Sequence, residues 1–137
     1  MNLVLELWAR SEIPDYDALF RADGTAREAF IDGADSLRVE LGEPFEVEEP
    51  EYAREITVES EAELPDGRGY VCCGDGTQGD EGFFARLDAE RRLVWVLAST
   101  GGNPFLRASV DWPLARFVND WGNILTIDLT DPDYAAP

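Results

Sequence analysis

The alternation of hydrophobic and polar residues predicts strands along much of this 137-residue chain. Residues 2–9 carry leucine at alternate positions and predict an opening strand. Two segments, which begin at Pro14 and Thr25, instead repeat apolar residues every three or four positions, as amphipathic helices do. Glycines in Asp23-Gly24 and at Gly33 end these segments. The first quarter of the chain therefore predicts one strand followed by two short helices.

From Ser36 the hydrophobic period changes to two, which predicts three short strands in antiparallel succession. Turns at residues 42–44 and at Pro50 separate these strands. Their apolar side chains would face inward, so the outward positions are left to glutamate. The predicted exposed face is formed by Glu40, Glu46, Glu48, Glu55 and Glu59.

The second half of the chain predicts a central strand, a hairpin and an edge strand. Residues 70–73 are wholly apolar, as a strand covered on both faces would be. Residues 83–87 and 93–97 flank a five-residue connection of ordinary length for a hairpin. Residues 104–108 predict a short strand at the edge of the sheet.

A C-terminal helix is predicted to begin at Pro113 and to end at Gly122. Its apolar stripe at positions i, i+3, i+4 and i+7 consists of Leu114, Phe117, Val118 and Trp121. Residues 125–129 alternate again and predict a last strand. The whole pattern predicts a single α+β domain: a mostly antiparallel sheet with short N-terminal helices and one amphipathic C-terminal helix packed on it.

The charge of the chain narrows the classes of partner. Its 29 Asp and Glu side chains against 11 Arg give a net charge of −18, without Lys or His. Nucleic acids and anionic membranes would be repelled, whereas a basic protein would be attracted. A solvated surface with no partner is the plainer explanation of the same charge. We also expect a soluble, cytoplasmic protein, because no apolar run is long enough to cross a bilayer. A monomer or weak dimer is the expected oligomeric state.

The glycine-rich loop of residues 74–79 has the form G-x-G-x-x-G, but its context excludes a dinucleotide site. Such a site needs a helix next, whereas residues 83–87 alternate like a strand. Asp80 stands where a P-loop needs lysine, and Arg86 stands where an EF-hand needs its last glutamate. A loose calcium site formed by Asp75, Asp80 and Glu81 stays open at this point.

No cofactor or metal site is predicted elsewhere. Cys72 and Cys73 are adjacent in a predicted strand, so their side chains point to opposite faces and cannot form an ordinary disulfide. The chain has no histidine or third cysteine to complete a zinc site. We therefore expect two reduced, buried thiols.

The order of elements in residues 68–121 resembles the SUKH superfamily of bacterial immunity proteins. In that family a strand leads through a Gly/Asp loop to a hairpin of the form F-x-x-L-D…V-W, and then to a helix written S-x-x-x-F-x-x-F. The matching residues here are Gly74, Gly82, Phe84, Leu87, Asp88, Val94, Trp95, Asn103, Pro104, Phe105, Ser109 and Phe117. The sequence from Ile13 to Tyr16 is similar to the L-P-x-x-Y entry of the family. The resemblance implies a non-enzymatic protein that binds and neutralises a toxin domain.

Resemblance and charge together predict an immunity-type inhibitor of a cationic, nuclease-like or deaminase-like toxin domain. Its predicted partner-binding residues are Glu46, Glu48, Glu55, Glu59, Asp75, Asp80, Glu81 and Trp112. A DNA mimic that binds a host nucleic-acid-binding protein is an alternative that uses the same physics. A hydrolase that depends on a pair of carboxylates is a further alternative.

Overall fold

The protein is mostly sheet, which corrects the predicted α+β class. The computed structural model describes residues 2–47, 53–76 and 81–135. Of these residues, 61% lie in strands and 10% in helices. Among them one helix reaches seven residues, and it lies at the N-terminal end rather than the C-terminal end. The architecture is therefore a curled sheet of eleven strands.

The elements follow one another as α1 (Leu3–Ala9), β1 (Glu12–Pro14), β2 (Ala18–Arg21), β3 (Thr25–Gly33), β4 (Ser36–Glu46), β5 (Ala53–Glu63), β6 (Tyr70–Gly76), β7 (Gly82–Leu87), β8 (Leu93–Ser99), β9 (Phe105–Asp111), β10 (Leu114–Asn119) and β11 (Ile124–Asp128). Across the sheet the strands are ordered β1-β5-β6-β7-β8-β2-β3-β4-β11-β10-β9. All neighbouring strands are antiparallel except β4 and β11, which run parallel.

The opening segment is the helix α1, so the predicted strand over residues 2–9 is wrong. Asn2 caps the helix by accepting a hydrogen bond from the Leu5 backbone N–H at 3.3 Å. Val4 and Leu7, three positions apart, are buried on one side of it. The helical spacing of the two buried residues, rather than the alternation of the leucines, therefore matches the structure of this segment. No helix in the described part of the chain is both long and apolar enough to cross a membrane.

The two predicted N-terminal helices are also wrong, because both segments are interior strands. β2 lies between β8 and β3, and its residues Ala18, Leu19 and Phe20 are all buried. In β3, Ala26 packs on one face of the sheet and Ala29 on the other. A strand covered on both faces loses strict alternation, so its apolar spacing can imitate that of a helix.

β4 is one continuous strand, although a turn was predicted at residues 42–44. The register against β3 slips there, from the pair Arg27–Pro44 to the pair Ala29–Leu41, so Gly42 and Glu43 form a bulge. Proline is tolerated at such an irregularity. The predicted three-strand acidic meander is likewise wrong, because β4 pairs with β3 and β11 whereas β5 pairs with β1 and β6.

The predicted C-terminal helix is strand β10, paired with β9 on one side and β11 on the other. Ala115 and Phe117 point inward and are buried, as period-two alternation requires. The other strand predictions in this half are confirmed: the central strand is β6, the hairpin is β7–β8, the edge strand is β9 and the last strand is β11.

The curled sheet encloses one hydrophobic core and carries a second on its other face. The inner core, between β6–β8 and the β9–β11 end, contains Phe84, Trp95, Phe105 and Phe117. The outer core includes Phe20, Cys72 and Phe83 and is covered by α1 through Val4. The edge strand β9 packs against β5 and β6, where the Ala108 backbone N–H donates to Ser60 Oγ at 2.9 Å. This contact brings the two ends of the sheet together.

Candidate binding surfaces

The predicted partner-binding residues lie in several separate places. Glu46 lies at the end of β4, Glu55 and Glu59 lie on β5, and Trp112 lies in the turn between β9 and β10. Asp75 lies opposite Gly82 near the end of β6, and Glu81 lies just before β7, where its carbonyl accepts from the Gly76 backbone N–H at 3.3 Å. Glu48 and Asp80 lie outside the described residues.

Strand β5 presents an acidic strip, which consists of the exposed side chains of Glu55, Glu59, Glu61 and Glu63. Glu55 lies directly opposite Glu12 of β1, so two like charges share one cross-strand position. Glu61 is paired with Arg91 at 2.6 Å, whereas Glu12 is paired with Arg10 at 3.0 Å. The acidic strip therefore meets a like charge on β1 at Glu55, and such a cross-strand pair is destabilising.

A buried ion-pair network stands beneath one end of this strip. The side chain of Arg54 on β5 is 5% exposed and contacts three carboxylates. The distances are 2.7 Å to Asp15, 3.1 Å to Glu81 and 3.9 Å to Asp17. Gly76 makes room for this contact, because a Cβ there would lie 2.3 Å from Glu81 Oε2. Glu81 therefore ties the start of β7 to β5 from inside the protein.

The same network fixes the neighbouring loop. Asp17 accepts hydrogen bonds from the Thr100 hydroxyl at 2.8 Å and from its backbone N–H at 3.1 Å. In residues 2–47, 53–76 and 81–135, no group of three or more His, Cys, Asp or Glu side chains is arranged to hold a metal ion. Arg54 and Thr100 contact the carboxylates of this network from within the protein.

The two cysteines are buried on opposite faces of β6, as the sequence predicts. Cys72 packs in the outer core and Cys73 in the inner core. Both are free thiols. Burial raises the pKa of each thiol to about 12, with the nearby Glu61 adding to the rise at Cys72. Neither thiol is therefore set up as a nucleophile.

Glu46 borders a groove between the start of α1 and the β2–β3 turn. The groove has a volume of about 420 Å³ and is also lined by Asn2, Asp23, Thr25 and Phe45. Asp23 accepts hydrogen bonds from the Thr25 hydroxyl at 2.6 Å and its backbone N–H at 2.9 Å. These bonds lower the pKa of Asp23, so its carboxylate stays ionised beside Glu46.

Trp112 is half-buried and packs against the inner core. The Arg68 guanidinium lies 4.4 Å from the centre of its ring, in a cation–π contact. Arg86, whose side chain is buried, lies 5.9 Å from the same ring centre. The ring of Trp112 is therefore already in contact with Arg68, Arg86 and the inner core.

Trp121, which the sequence places in the helical stripe, is instead 75% exposed in the turn between β10 and β11. The turn is held by buried Asn119, whose Oδ1 accepts from the backbone N–H groups of Trp121 at 3.0 Å and Asn123 at 2.9 Å. Asn119 Nδ2 donates to the Gly102 carbonyl at 3.0 Å. Asn119, Gly122 and Asn123 around Trp121 are typical turn residues, and this signal could have predicted that Trp121 lies in a turn.

No model of a known protein family matches the chain, and no curated protein or solved structure matches it either. The likeness to SUKH proteins therefore stays a prediction. Its hairpin corresponds to β7–β8, whereas its helix falls on β10, which is a strand carrying Phe117.

Proposed function

We propose that the protein is a non-enzymatic acidic binding protein of the immunity type, which neutralises a cationic toxin domain in the cytoplasm by direct binding. The observation that carries this proposal is the acidic strip of β5, where glutamates stand exposed along one strand. The chain as a whole carries a net charge of −18, so the field of the strip adds to that of the molecule.

The physics of the target supports this reading. A toxin that cleaves or modifies nucleic acid needs a basic cleft to hold phosphates. A protein surface lined with carboxylates can occupy such a cleft as phosphate does. Complementary fields also accelerate the encounter of the two proteins, which favours fast neutralisation.

The cost of the strip also supports a binding role. Glu55 opposite Glu12 destabilises the β1–β5 edge by a few tenths of a kcal/mol, because like charges directly across two strands repel each other. A polar neutral side chain would avoid this cost. Docking of a cation would turn the repulsion into attraction.

Trp121 adds a second kind of contact. Tryptophan is enriched among the residues that dominate binding energy at protein interfaces. The Asn119 hydrogen bonds fix the backbone beneath its ring, so little further ordering would be needed on binding. A rigid exposed aromatic ring is therefore a suitable anchor once charge has brought the partner close.

The proposal is tested by capturing basic proteins on the immobilised chain and then assaying what they do. We expect capture at about 50 mM salt that is lost at about 500 mM, where the Debye length becomes a few ångströms. The captured protein should degrade or modify nucleic acid, and the added chain should inhibit that activity. Salt-independent capture, or a captured activity unaffected by the chain, would contradict the proposal.

A charge-reversal pair locates the interface. Glu55→Arg with Glu59→Arg should slow association and weaken its salt dependence, because it reverses the field of the strip. The matched control is Asp35→Arg with Asp128→Arg, which reverses two exposed carboxylates in the β3–β4 turn and at the end of β11, off strand β5. Equal association rates for the control and the strip variant would remove β5 from the interface.

A further inference from the structure

We infer that a patch of three aromatic rings beside the outer core is the docking site for arginine side chains of the cationic partner. This inference rests on the proposed function and gives the chemistry of the partner's contacting residues. The arginine patch, as we name it, is formed by Tyr16, Phe30 and Phe45, with Asp17 and Glu28 at its side. None of the three rings was singled out by the sequence as a binding residue.

The rings converge on one shallow pocket of about 280 Å³. Phe30 is 51% exposed and Tyr16 is 40% exposed, which is unusual for two neighbouring large side chains. The rings of Tyr16 and Phe45 meet edge to face, with their centres 5.6 Å apart. These contacts give the patch a fixed shape before any partner arrives.

The sheet itself explains why the rings are exposed together. In β3 the inward residues Ala29 and Ile31 belong to the inner core, so Phe30 between them must point outward. The β4 bulge places Gly42 against it, and a Cβ at Gly42 would lie 2.9 Å from Glu28 Oε2 and 3.5 Å from Phe30 Cε2. The bulge therefore brings a ring and a carboxylate side by side.

The charge around the rings is negative. Asp17 and Glu28 line the pocket, and Glu40 lies directly opposite Phe30 across the strand pair. None of the five lining residues is basic. Arg38 comes two cross-strand positions further on, opposite Asp32. A carboxylate beside an aromatic face is the environment in which a guanidinium binds best, since the ring and the charge both attract it.

The protein shows this mode of binding with its own arginines elsewhere. Arg91 lies 4.2 Å from the centre of the Tyr70 ring while it pairs with Glu61 at 2.6 Å. Arg68 lies over Trp112 while it pairs with Asp66 at 2.9 Å. In both places the chain supplies the ring, the carboxylate and the guanidinium. At the arginine patch the chain supplies the rings and the Glu28 carboxylate, because the Asp17 carboxylate already contacts Arg54 and Thr100.

Charge also decides between the possible occupants of an exposed aromatic patch. A second copy of the chain would bring its own net charge of −18, and nucleic acid or an anionic lipid surface would be repelled in the same way. An uncharged apolar segment would cover Glu28 without pairing with it, and burying an unpaired charge is costly. A segment that carries arginine satisfies both the rings and the carboxylates.

The test is a titration of the full chain with nona-arginine and nona-lysine peptides at about 50 mM salt, where surface charges are weakly screened. We expect nona-arginine to bind more tightly, because a planar guanidinium stacks on rings better than an ammonium does. Phe30→Ala should weaken nona-arginine binding about twofold to fivefold, which corresponds to the loss of an exposed cation–π contact. Glu28→Gln should weaken it in the same direction.

Two controls match these variants in chemistry but lie elsewhere. Leu106→Ala removes an exposed apolar side chain from β9, and Glu63→Gln removes an exposed carboxylate from the β5 strip. Leu106→Ala should leave the affinity unchanged, and Glu63→Gln should weaken both peptides equally. Phe30→Leu keeps most of the apolar area without the ring and should behave like Phe30→Ala.

Two results would overturn the arginine patch while leaving the proposed function standing. The first is equal, salt-dependent binding of both peptides that Phe30→Ala does not change, which would mean that charge alone attracts the cation. The second is a dimer of the unmodified chain that Phe30→Ala dissociates, which would assign the patch to a second copy. Failure of both peptides to bind at low salt would overturn the patch and the cationic partner together.

Discussion

The two buried arginines, Arg54 and Arg86, are stabilised by different kinds of partner. Arg54 lies among three carboxylates, and its contact with Glu81 joins two side chains that are both largely withdrawn from water. Arg86 is buried too, but its Nη1 donates to the backbone carbonyls of Leu129 at 3.3 Å and Tyr134 at 3.0 Å. Burial lowers the pKa of Arg86, and nearby Arg68 lowers it further. Arg54 therefore holds Glu81 at the start of β7, and Arg86 holds the segment from Leu129 to Tyr134.

Replacement of Arg54 by methionine should destabilise the protein by about 3 to 5 kcal/mol, because it leaves the Glu81 carboxylate buried without its cation. The double variant with Glu81→Gln should recover part of this loss. The measurement is urea unfolding of both variants. As a control, Arg10→Met breaks the exposed pair with Glu12 and should change the free energy of unfolding by about 1 kcal/mol or less. Equal losses at Arg54 and Arg10 would contradict the buried network.

The buried thiols and Tyr134 predict a loss of stability in alkaline solution. The pKa of each thiol is raised from 9.0 to about 12, and burial likewise raises the pKa of Tyr134 from 10.0 to about 12. Above pH 9 the unfolded chain therefore loses these protons before the folded chain does. The free energy of unfolding should be unaffected by these groups below pH 9 and should fall as the pH rises from 9 to 12.

Urea unfolding under reducing conditions at a series of pH values measures this loss. The Cys73→Ala variant should show a shallower fall above pH 9, although it is less stable near neutral pH. Iodoacetamide at pH 8 should alkylate the thiols slowly in the native protein and quickly in urea. Rapid alkylation of the native protein would contradict the burial of both thiols.

At the scale of elements, the segment that the sequence predicts as a C-terminal helix is strand β10 of the β10–β11 hairpin, and two substitutions can distinguish these structures. Phe117→Ala should cost about 3 to 5 kcal/mol, since its ring is fully buried in the inner core. Trp121→Ala should change the free energy of unfolding by about 0.5 kcal/mol or less, because most of its side chain is in water. A helix would bury both residues on one face. Comparable losses for the two variants, measured by urea unfolding, would therefore contradict the hairpin.

The sequence predicts the strands that lie in plain hairpins and misses those whose neighbours come from far along the chain. The β7–β8 hairpin follows from two apolar runs joined by a short connection. β2 is read as a helix because burial on both faces removes the alternation that marks a strand. β3 is read as a helix because its apolar residues Ala26, Ala29 and Phe30 lie on both faces of the sheet. β10 is read as a helix because Leu114, Phe117 and Val118 also fit a helical stripe, and only pairing with β9 and β11 decides the period.

The candidate surfaces were predictable only where one strand carries them. The glutamates on β5 are exposed as expected, although the register shift between Val58 and Ser60 interrupts the alternation along the strand. Their grouping with Glu46 fails, since the order of strands places β4 and β5 far apart. The arginine patch was out of reach of sequence patterns, because Tyr16, Phe30 and Phe45 meet only through the pairing of β3 with β4 and the bulge at Gly42.

At the scale of the molecule, the net charge of −18 acts on a sheet that closes on itself through β9. Self-repulsion destabilises a compact acidic protein and salt relieves it. The β1–β5 edge concentrates this effect, since Glu12 and Glu55 share one cross-strand position. We therefore expect the acidic surface to attract a cationic partner while it lowers the free energy of unfolding of the protein.

Glu55→Gln should raise the free energy of unfolding by a few tenths of a kcal/mol, because it removes one of two opposed charges. The gain should shrink at about 0.5 M salt as the repulsion is screened. Glu63→Gln is the matched control, since Glu63 lies opposite Tyr70 rather than another acid. Thermal or urea unfolding at two salt concentrations measures both. A gain that is equal at the two positions would contradict a specific repulsion at Glu55.

The most direct test of the account is the effect of the intact chain on the activity of the basic protein that it captures. Nucleic-acid cleavage or modification by that protein should fall to near zero at a stoichiometric amount of the chain in low salt. Inhibition should weaken as salt rises, and charge reversal at Glu55 and Glu59 should weaken it further. Full activity of the captured protein in the presence of excess chain at low salt would contradict the account.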